Sequence, residues 1–339
     1  MNANVNNRVI IFGGGGFVGS HLVEALNKRK LVLPVDVNGK VLYGDIRNFD
    51  TVDNLCKNMD VCVHLAGELP HAGWEKELKK GTMWDIMVNG TENVFRACLR
   101  NEVKKVIYYS SSAVYGEPPE YPLKEDSPHA PLDEYGKAKS KAEEICHKYM
   151  KQGLDITVIR PMTILGPRFV GILRSMMEFI YNGKNIPLIG KGNNKIQLVH
   201  IDDIIDATIK CIENPNSKNE TFNITSDMTG MPTIKEELDE LCKYANTGAK
   251  VKPMPSWIVR PTLMFTRLIG KAAMGKEIAM LADKTFLIDN SKAKALLNWK
   301  PKYGNIDALK AGYDWFRTEH DKIDLKLSLP LKIAMKVNI

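Results

Sequence analysis

The sequence predicts an α/β fold, with a doubly wound parallel sheet followed by a smaller, mostly helical C-terminal region. Short apolar segments alternate with segments of helical periodicity over the first two thirds of the chain. Such alternation builds βαβ units, whose right-handed crossovers place helices on both faces of a parallel sheet. Residues 60–67 are almost continuously apolar, as expected for a strand covered on both faces. Beyond Thr233 the pattern is mostly helical.

Composition excludes several classes of protein. The chain has 339 residues, 44% of them hydrophobic and 26% charged, which is ordinary for a globular protein with a sizeable core. The net charge is +7, and the basic residues are interspersed with acidic ones, which favours solubility over nucleic-acid binding. We find no signal-peptide pattern and no apolar run long enough to span a bilayer. The six cysteines form no CxxC pair, which suits a reducing cytoplasm and predicts no metal site.

The first element is a strand, a glycine turn and a helix. Residues 9–12 are apolar β-formers, Gly13, Gly16 and Gly19 follow, and residues 20–26 have helical periodicity. Glycine permits positive φ in the turn, leaves bare backbone where a pyrophosphate approaches, and lets helix and strand pack closely. The helix N-terminus then offers N–H groups and partial positive charge to phosphates. A merely flexible loop is the alternative interpretation of the glycines.

The second strand, residues 31–36, ends in an acid. Asp36 lies 17 residues after Gly19, near the spacing at which a carboxylate accepts hydrogen bonds from an adenosine ribose. A carboxylate there would repel the 2′-phosphate of NADP, so the position favours NAD, although Lys40 is nearby. The alternative is an ordinary acidic residue in a turn.

The remaining periodicities complete the sheet and its helices. Further strands are predicted at 41–46, 60–67, 105–109, 156–161 and 222–224. Helices are predicted at 91–100, 133–150 and 169–181, and residues 197–203 lead into another helix.

Two residues of the helix predicted at 133–150 are candidates for catalysis. Tyr135 and Lys139 stand four apart, so both side chains project from one face. An adjacent ammonium lowers the pKa of a phenol toward a range useful for general base catalysis. Residues 110–112, three serines, end a strand where ligands of parallel sheets bind. A Tyr-x-x-x-Lys pattern alone is common on solvated helices, but here it follows the glycine turn and the serines in order.

Together these pieces identify the chain as similar to the extended short-chain dehydrogenases/reductases, in particular the NAD-dependent epimerase/dehydratase family. The resemblance implies a Rossmann NAD-binding domain over residues 1–168, with a returning segment near 197–225. Residues 169–196 and 226–339 would form the substrate-binding domain. The matching motifs are Gly13-x-x-Gly16-x-x-Gly19, Asp36, Gly44-Asp45-Ile46-Arg47, His64-Leu65-Ala66, Asn89-Gly90-Thr91, the segment 110–116, Tyr135-x-x-x-Lys139, Arg160-Pro161, Gly166-Pro167-Arg168, His200-Ile201-Asp202-Asp203, and the segments 291–294 and 297–301.

The resemblance also assigns roles. Tyr135 would be the acid/base, Lys139 would hold the nicotinamide ribose and tune Tyr135, and Ser111 would orient the substrate oxygen. Cofactor contacts would come from Gly13, Gly16, Phe17, Val18, Asp36, Asp45, Ile46, Leu65, Ala66, Lys139 and Pro161. Substrate contacts would come from Ser112, Thr163, Arg168 and Lys195.

The end of the serine strand separates branches of the family. Dehydratases resemble one another in a Thr-Asp-Glu triplet there, whereas this chain has no carboxylate at 111–113, so dehydratase activity is disfavoured. Our leading hypothesis is an NAD-dependent epimerase or oxidoreductase that acts on a nucleotide-sugar by reversible hydride transfer. A homodimer and a cytoplasmic location are expected. A binding protein without catalysis is disfavoured by the intact Ser111, Tyr135 and Lys139.

Some positions depart from the nucleotide-sugar pattern. Thr163 replaces a common asparagine, and Ile196 stands where an arginine often contacts the diphosphate, with Lys195 adjacent. The apolar and basic stretch 257–274 looks more like sterol- or flavonol-type reductases. The alternative function is therefore an NAD(P)-dependent dehydrogenase or reductase of an apolar secondary alcohol or ketone. That stretch is either a packed helix or a surface for lipid or membrane.

Overall fold

A computed structural model describes residues 7–28, 30–67, 81–117, 120–168, 173–257, 259 and 281–322. Within these ranges, no helix is both long and apolar enough to cross a bilayer. The stretch 257–274 lies almost entirely outside the described residues.

Seven parallel strands form the main sheet. In chain order they are β1 (Arg8–Phe12), β2 (Leu31–Asp36), β3 (Leu42–Tyr43), β4 (Val61–His64), β5 (Lys105–Tyr109), β6 (Ile156–Pro161) and β10 (Thr221–Ile224). Their spatial order is β3-β2-β1-β4-β5-β6-β10, and every pair is parallel. The order reverses between β1 and β4, where doubly wound sheets bind their ligands. This confirms the predicted fold class, although β3 is shorter than predicted.

Helices cover both faces of this sheet. The described helices are α1 (Phe17–Leu26), α2 (Phe49–Cys56), α3 (Thr82–Trp84), α4 (Thr91–Arg100), α5 (Glu134–Met150), α6 (Arg174–Tyr181), α7 (Ile201–Glu213), α8 (Ile234–Ala245), α9 (Ser291–Leu297) and α10 (Asn305–Glu319). Of these, α6, α8 and α10 pack in a separate core. A π-helix, Asp85–Gly90, runs directly into α4. The predicted helix at 169–181 is described from Leu173 onward, and residues 169–172 lie outside the description.

Alternation along β1 divides the core into two layers. Ile10 and Phe12 pack in one cluster with Phe95 of α4, whereas Val9 and Ile11 pack in another with helices α1, α7 and α9. Side chains of successive strand residues point to opposite faces, so one apolar strand serves both layers. The buried runs that predicted a doubly covered sheet are therefore explained.

The remaining strands form two small parallel sheets, β7 (Thr163–Leu165) with β9 (Leu198–His200), and β8 (Ile186–Ile189) with β11 (Val251–Met254). A separate apolar cluster joins α6, α8 and α10 to β8 and β11. This second core agrees with a distinct C-terminal region. The predicted domain boundaries at 168, 196 and 225 stay a prediction.

The C-terminal segment returns to the main sheet at α7. The Trp299 indole Nε1 donates to the Asp203 carbonyl oxygen at 3.2 Å. The buried Asp203 carboxylate accepts the N–H groups of Lys302 and Tyr303 at 2.9 and 3.1 Å. These bonds satisfy a carboxylate that would otherwise be costly to bury, and they fix the C-terminal segment against α7.

Candidate functional site

The glycine turn joins β1 to α1 at the sheet's switch point. The N–H groups of Gly13 and Gly14 donate to the Val35 carbonyl at 2.8 and 3.0 Å, and Gly13 has φ +86°. A Cβ on Gly13 would lie 2.7 Å from the Ala66 backbone nitrogen, and one on Gly19 would lie 2.1 Å from the Gly13 oxygen. Real side chains cannot occupy such positions, so the turn requires glycine at both places.

No side-chain hydrogen bond caps the N-terminus of α1. Its N-cap residue is Gly16, which supplies no capping oxygen, and the first helical residues are Phe17 and Val18. A helix N-terminus without a side-chain cap can direct backbone N–H groups toward an anion. The flexible-loop interpretation of these glycines is thereby weakened, because their backbone is closely packed.

Asp36 at the end of β2 organises the turn. Its Oδ2 accepts the Gly15 N–H at 3.1 Å, and its Oδ1 accepts the N–H groups of Val37 and Asn38 at 2.7 and 3.2 Å. A carboxylate has about four acceptor positions, so capacity for further donors is left. The side chain is half-buried beside the turn, where it can both shape the loop and meet a ribose.

The other residues predicted to contact the cofactor lie along the same carboxyl edge. Leu65 and Ala66 directly follow β4 and touch Gly13. Asn93 donates to the Ile46 carbonyl at 3.1 Å, which fixes the loop after β3. Arg47 binds Asp45 through two nitrogens at 2.5–3.0 Å and lowers the pKa of that carboxyl.

Lys139 of α5 is almost completely buried at the carboxyl end of β5. Its Nζ donates to the Tyr109 carbonyl at 2.6 Å and lies 5.1 Å from the Tyr108 ring centroid and 6.0 Å from that of Tyr135. Burial lowers the pKa of Lys139 to about 8, and the Glu143 carboxylate opposes that shift. The predicted pair Tyr135 and Lys139 therefore shares one helix face, in a site where an ammonium can tune a phenol.

The structure distinguishes the three serines. Ser110 is buried and donates to Glu143, so it belongs to the interior. Ser111 is half-buried, caps the short helix Ser112–Val114 and accepts the Ala113 N–H at 3.2 Å. The role of Ser111 in orienting the substrate oxygen stays a prediction.

Helix α5 packs directly on this serine turn. A Cβ on Gly136 would lie 2.6 Å from the Ala113 carbonyl oxygen, so only glycine allows the contact. Asp133 caps the helix by accepting the Gly136 N–H at 2.9 Å. The residue before Gly136 is Tyr135, which is therefore held beside the turn that carries Ser111.

The residues predicted to contact substrate are spread over several elements of the fold. Thr163 begins β7 just after Pro161 ends β6. Arg168 forms an ion pair with Glu24 of α1 at 2.7 Å and donates to the Ser20 Oγ at 3.3 Å, which places it against the cofactor-side helix.

Lys195 is tied to the segment that follows residue 281. Its N–H donates to the Thr285 Oγ1 at 3.3 Å, and its carbonyl accepts the Phe286 N–H at 2.8 Å. Its neighbour Ile196 packs in an apolar cluster with Leu123 and Phe286. The substrate roles of Thr163, Arg168, Lys195 and Ser112 stay predictions.

Two buried polar groups were not predicted. The His64 Nε2 bonds the Thr91 Oγ1 at 2.9 Å, and Thr91 donates to the Met87 carbonyl, so His64 is the donor. Burial lowers the pKa of His64 to about 3, with a smaller contribution from Lys139, so the imidazole is neutral. The second group is the ion pair of Glu143 and Arg160, at 2.6 Å. His64 and Arg160 did belong to quoted motifs, but their partners lie far away in sequence.

Comparison with known proteins identifies the family of this chain. Residues 9–225 match the model of the NAD dependent epimerase/dehydratase family. The uncharacterized protein y4nG of Sinorhizobium fredii is 30% identical over 322 residues, which are 91% of this chain and 78% of that protein. The UDP-glucose 4-epimerase of Vibrio cholerae is 29% identical over 306 residues, which are 86% of this chain and 90% of that enzyme.

Solved structures share the fold at lower identity. A UDP-N-acetylglucosamine 4-epimerase from Methanobrevibacter ruminantium has a TM-score of 0.75 at 23% identity, over 92% of this chain and 99% of that one. A UDP-glucuronic acid 4-epimerase from Bacillus cereus, crystallised with NAD, has a TM-score of 0.73 at 24% identity, with the same two coverages.

Gly19→Ala tests the turn. Because its Cβ would meet the Gly13 oxygen, the turn must open, and we expect NAD to bind at least about tenfold more weakly in isothermal titration calorimetry. Gly304→Ala is the matched control, since a Cβ there meets only the Asp307 Oδ2 at 3.6 Å. Thermal unfolding is recorded for both variants. Wild-type affinity in a folded Gly19→Ala protein would contradict the assignment.

Proposed function

This chain belongs to the NAD-dependent epimerase/dehydratase family, and we propose that it is an NAD-dependent nucleotide-sugar epimerase or oxidoreductase. The observation that carries the proposal is the pairing of Tyr135 with the buried Lys139 on α5, packed on the turn that bears Ser111. Three of the relatives compared above support it, because they are 4-epimerases of UDP-sugars. They favour a nucleotide-sugar over an apolar alcohol or ketone.

NAD fits the residues present. The Gly13–Gly19 contact forms a cradle that a Cβ would fill, and the end of α1 has no side-chain cap. Gly16, Phe17 and Val18 would hold the pyrophosphate, and Asp36 would hold the adenosine ribose. The loop carrying Asp45 and Ile46 would bracket the adenine, while Leu65, Ala66 and Pro161 would line the dinucleotide. When bound, NAD supplies a reversible acceptor for hydride.

The chain's own residues supply the proton chemistry. Tyr135 removes the proton of the sugar hydroxyl that is oxidised, and it returns a proton to that oxygen when the alcohol is restored. The Lys139 ammonium stabilises the phenolate form of Tyr135. Ser111 donates a hydrogen bond to the same substrate oxygen and orients it. Epimerisation additionally requires the keto sugar to present its other face, whereas an oxidoreductase would release it.

Substrate identity is the proposal's first test. With NAD present, a thermal-shift panel compares UDP-, GDP-, CDP- and dTDP-sugars with sterol-like ketones. We expect at least one nucleotide-sugar to raise the melting temperature, because a ligand that binds only the native state stabilises it by mass action. The same sugars are then assayed for conversion by NMR. Stabilisation by ketones alone would reject the nucleotide-sugar assignment.

Tyr135→Phe tests the acid/base role. The variant keeps the ring and its packing but removes the hydroxyl, so we expect kcat to fall by about 100-fold or more. NAD affinity and the melting temperature should stay near those of the wild type. The matched control is Tyr244→Phe, whose hydroxyl bonds Asp314 on a different helix. A Tyr135→Phe enzyme with near-normal turnover would refute the role.

Assembly and location are also proposed. We infer a homodimer built through helices, in line with the resemblance; Trp84 of α3 is 40% exposed beside α5 and is a candidate for its interface. Sedimentation velocity should give twice the monomer mass, and a monomer at micromolar concentration would contradict the homodimer.

A cytoplasmic location is supported by six buried, free cysteines and is checked by cell fractionation.

A further inference from the structure

Glu143 of α5 is a buried carboxylate one helical turn beyond Lys139. Only 1% of its surface is exposed. The Arg160 guanidinium binds it through Nε at 2.9 and 3.2 Å and through Nη2 at 2.6 Å. The Ser110 hydroxyl donates to its Oε1, and the His129 Nε2 lies 3.6 Å from its Oε2. Every partner is a long-range contact, so the carboxylate joins separate parts of the chain.

These partners adjoin the residues proposed for catalysis. Ser110 directly precedes Ser111 at the end of β5, and Arg160 directly precedes Pro161 at the end of β6. Glu143 itself follows Lys139 by four residues, on the same helix face. One carboxylate therefore fixes the helix that carries the acid/base against the ends of two strands.

The carboxylate also supplies charge. Lys139 is 6% exposed, and burial disfavours its ammonium form. Glu143 is the largest opposing influence on the pKa of Lys139, followed by the Cys146 thiol. His64, which approaches from β4, is neutral and adds no opposing charge.

The other titratable groups near Lys139 do not replace Glu143. Tyr108 is neutral because burial raises the pKa of its hydroxyl, and the Tyr135 ring centroid lies 6.0 Å from the Lys139 Nζ. Glu92 of α4 forms an exposed ion pair with Lys148 at 2.6 Å. On the described elements packed against α5, the other charged or titratable side chains are Asp85, Arg96, Cys98, Arg100 and Arg160, and a loop adds His129.

We propose that Glu143 is a positioning residue for the reaction proposed above: its carboxylate keeps the Lys139 ammonium charged and holds Ser111 and Pro161 in register with it. The inference rests on the proposed function for its kinetic part. Arg160 balances the buried charge of Glu143 and completes the arrangement by also binding Tyr115 and His129.

The pH profile of kcat tests the proposal. If Lys139 must be protonated, kcat falls as the pH rises through the pKa of Lys139. Glu143→Gln removes the charge that raises this pKa, so the alkaline fall should move about one pH unit lower, because a nearby opposite charge shifts a pKa by about that much or more. At pH 8.5 kcat should be about tenfold lower, with KM within about twofold. Glu144→Gln, the exposed neighbour that pairs with Lys141, should match the wild type.

A second variant separates the proposed effect of Glu143 on Lys139 from a loss of folding stability. Glu143→Gln leaves the Arg160 guanidinium buried without its partner, which can prevent folding. Glu143→Gln with Arg160→Met removes both charges, so no unpaired buried charge is left. We expect this double variant to regain most of the wild-type melting temperature while its alkaline fall stays at lower pH. A wild-type kcat and pH profile in a folded variant lacking Glu143 would overturn the proposal.

A direct titration keeps the test independent of the substrate. Lysine-labelled protein with NAD bound is titrated by ¹³C NMR, and the Lys139 signal is assigned through Lys139→Arg. Its midpoint should fall in the variants that lack Glu143. An unchanged midpoint overturns the proposal even if the enzyme turns over nucleotide-sugars. If the wild type turns over no nucleotide-sugar, but the Lys139 midpoint is still lower in the variants that lack Glu143, only the proposed function is rejected.

Discussion

A lysine ammonium held out of water is the constraint on which the site depends. Moving such a charge out of water costs several kcal/mol unless it is compensated. The Tyr109 carbonyl, the Tyr108 ring and the Glu143 carboxylate supply that compensation from two elements. Lys139 is therefore stable only while α5 lies firmly against the end of β5. The Asp133 cap and the bare backbone of Gly136 secure that position.

The sheet topology explains why cofactor and substrate residues can meet. All the strands of the main sheet are parallel, so their carboxyl ends lie along one edge. The glycine turn after β1, Asp36 at the end of β2, Ser111 after β5 and Pro161 at the end of β6 share that edge. Residues more than 100 positions apart in sequence are thus assembled by strand pairing alone. The order reversal between β1 and β4 opens the crevice at Gly13, against Leu65 and Ala66.

Much of the fold was predictable because its signals are local. Apolar runs predicted β1, β2, β5 and β6. The order of the motifs predicted that the candidate site lies at the carboxyl ends of these strands. The chain did not reveal α2, β7, β8 or β11, which are short and gain their order from neighbours. The π-helix at Asp85–Gly90 was also missed, and at its last residue a Cβ would lie 2.7 Å from the Ile46 side chain.

The buried ion pair was missed for a different reason. Glu143 and Glu144 are adjacent and chemically identical, and a glutamate in a helix is usually solvated. Position 143 nevertheless falls on the stripe of Lys139, Ala142 and Cys146, all of which are buried. Periodicity thus indicated burial, but only the tertiary structure supplies Arg160, 17 positions away, as the partner.

Lys195 and Ile196 are positions at which the chain departs from the nucleotide-sugar pattern. Ile196 is packed with Leu123 and Phe286, so this position cannot present positive charge to a diphosphate. Lys195 can, but hydrogen bonds to Thr285 and Phe286 fix its backbone, so only its side chain can move. Hydrogen bonds with Thr233 lower the pKa of the exposed Glu236, and the Lys195 charge makes a smaller contribution in the same direction. The role of Lys195 in place of the arginine that many nucleotide-sugar enzymes use therefore stays a prediction.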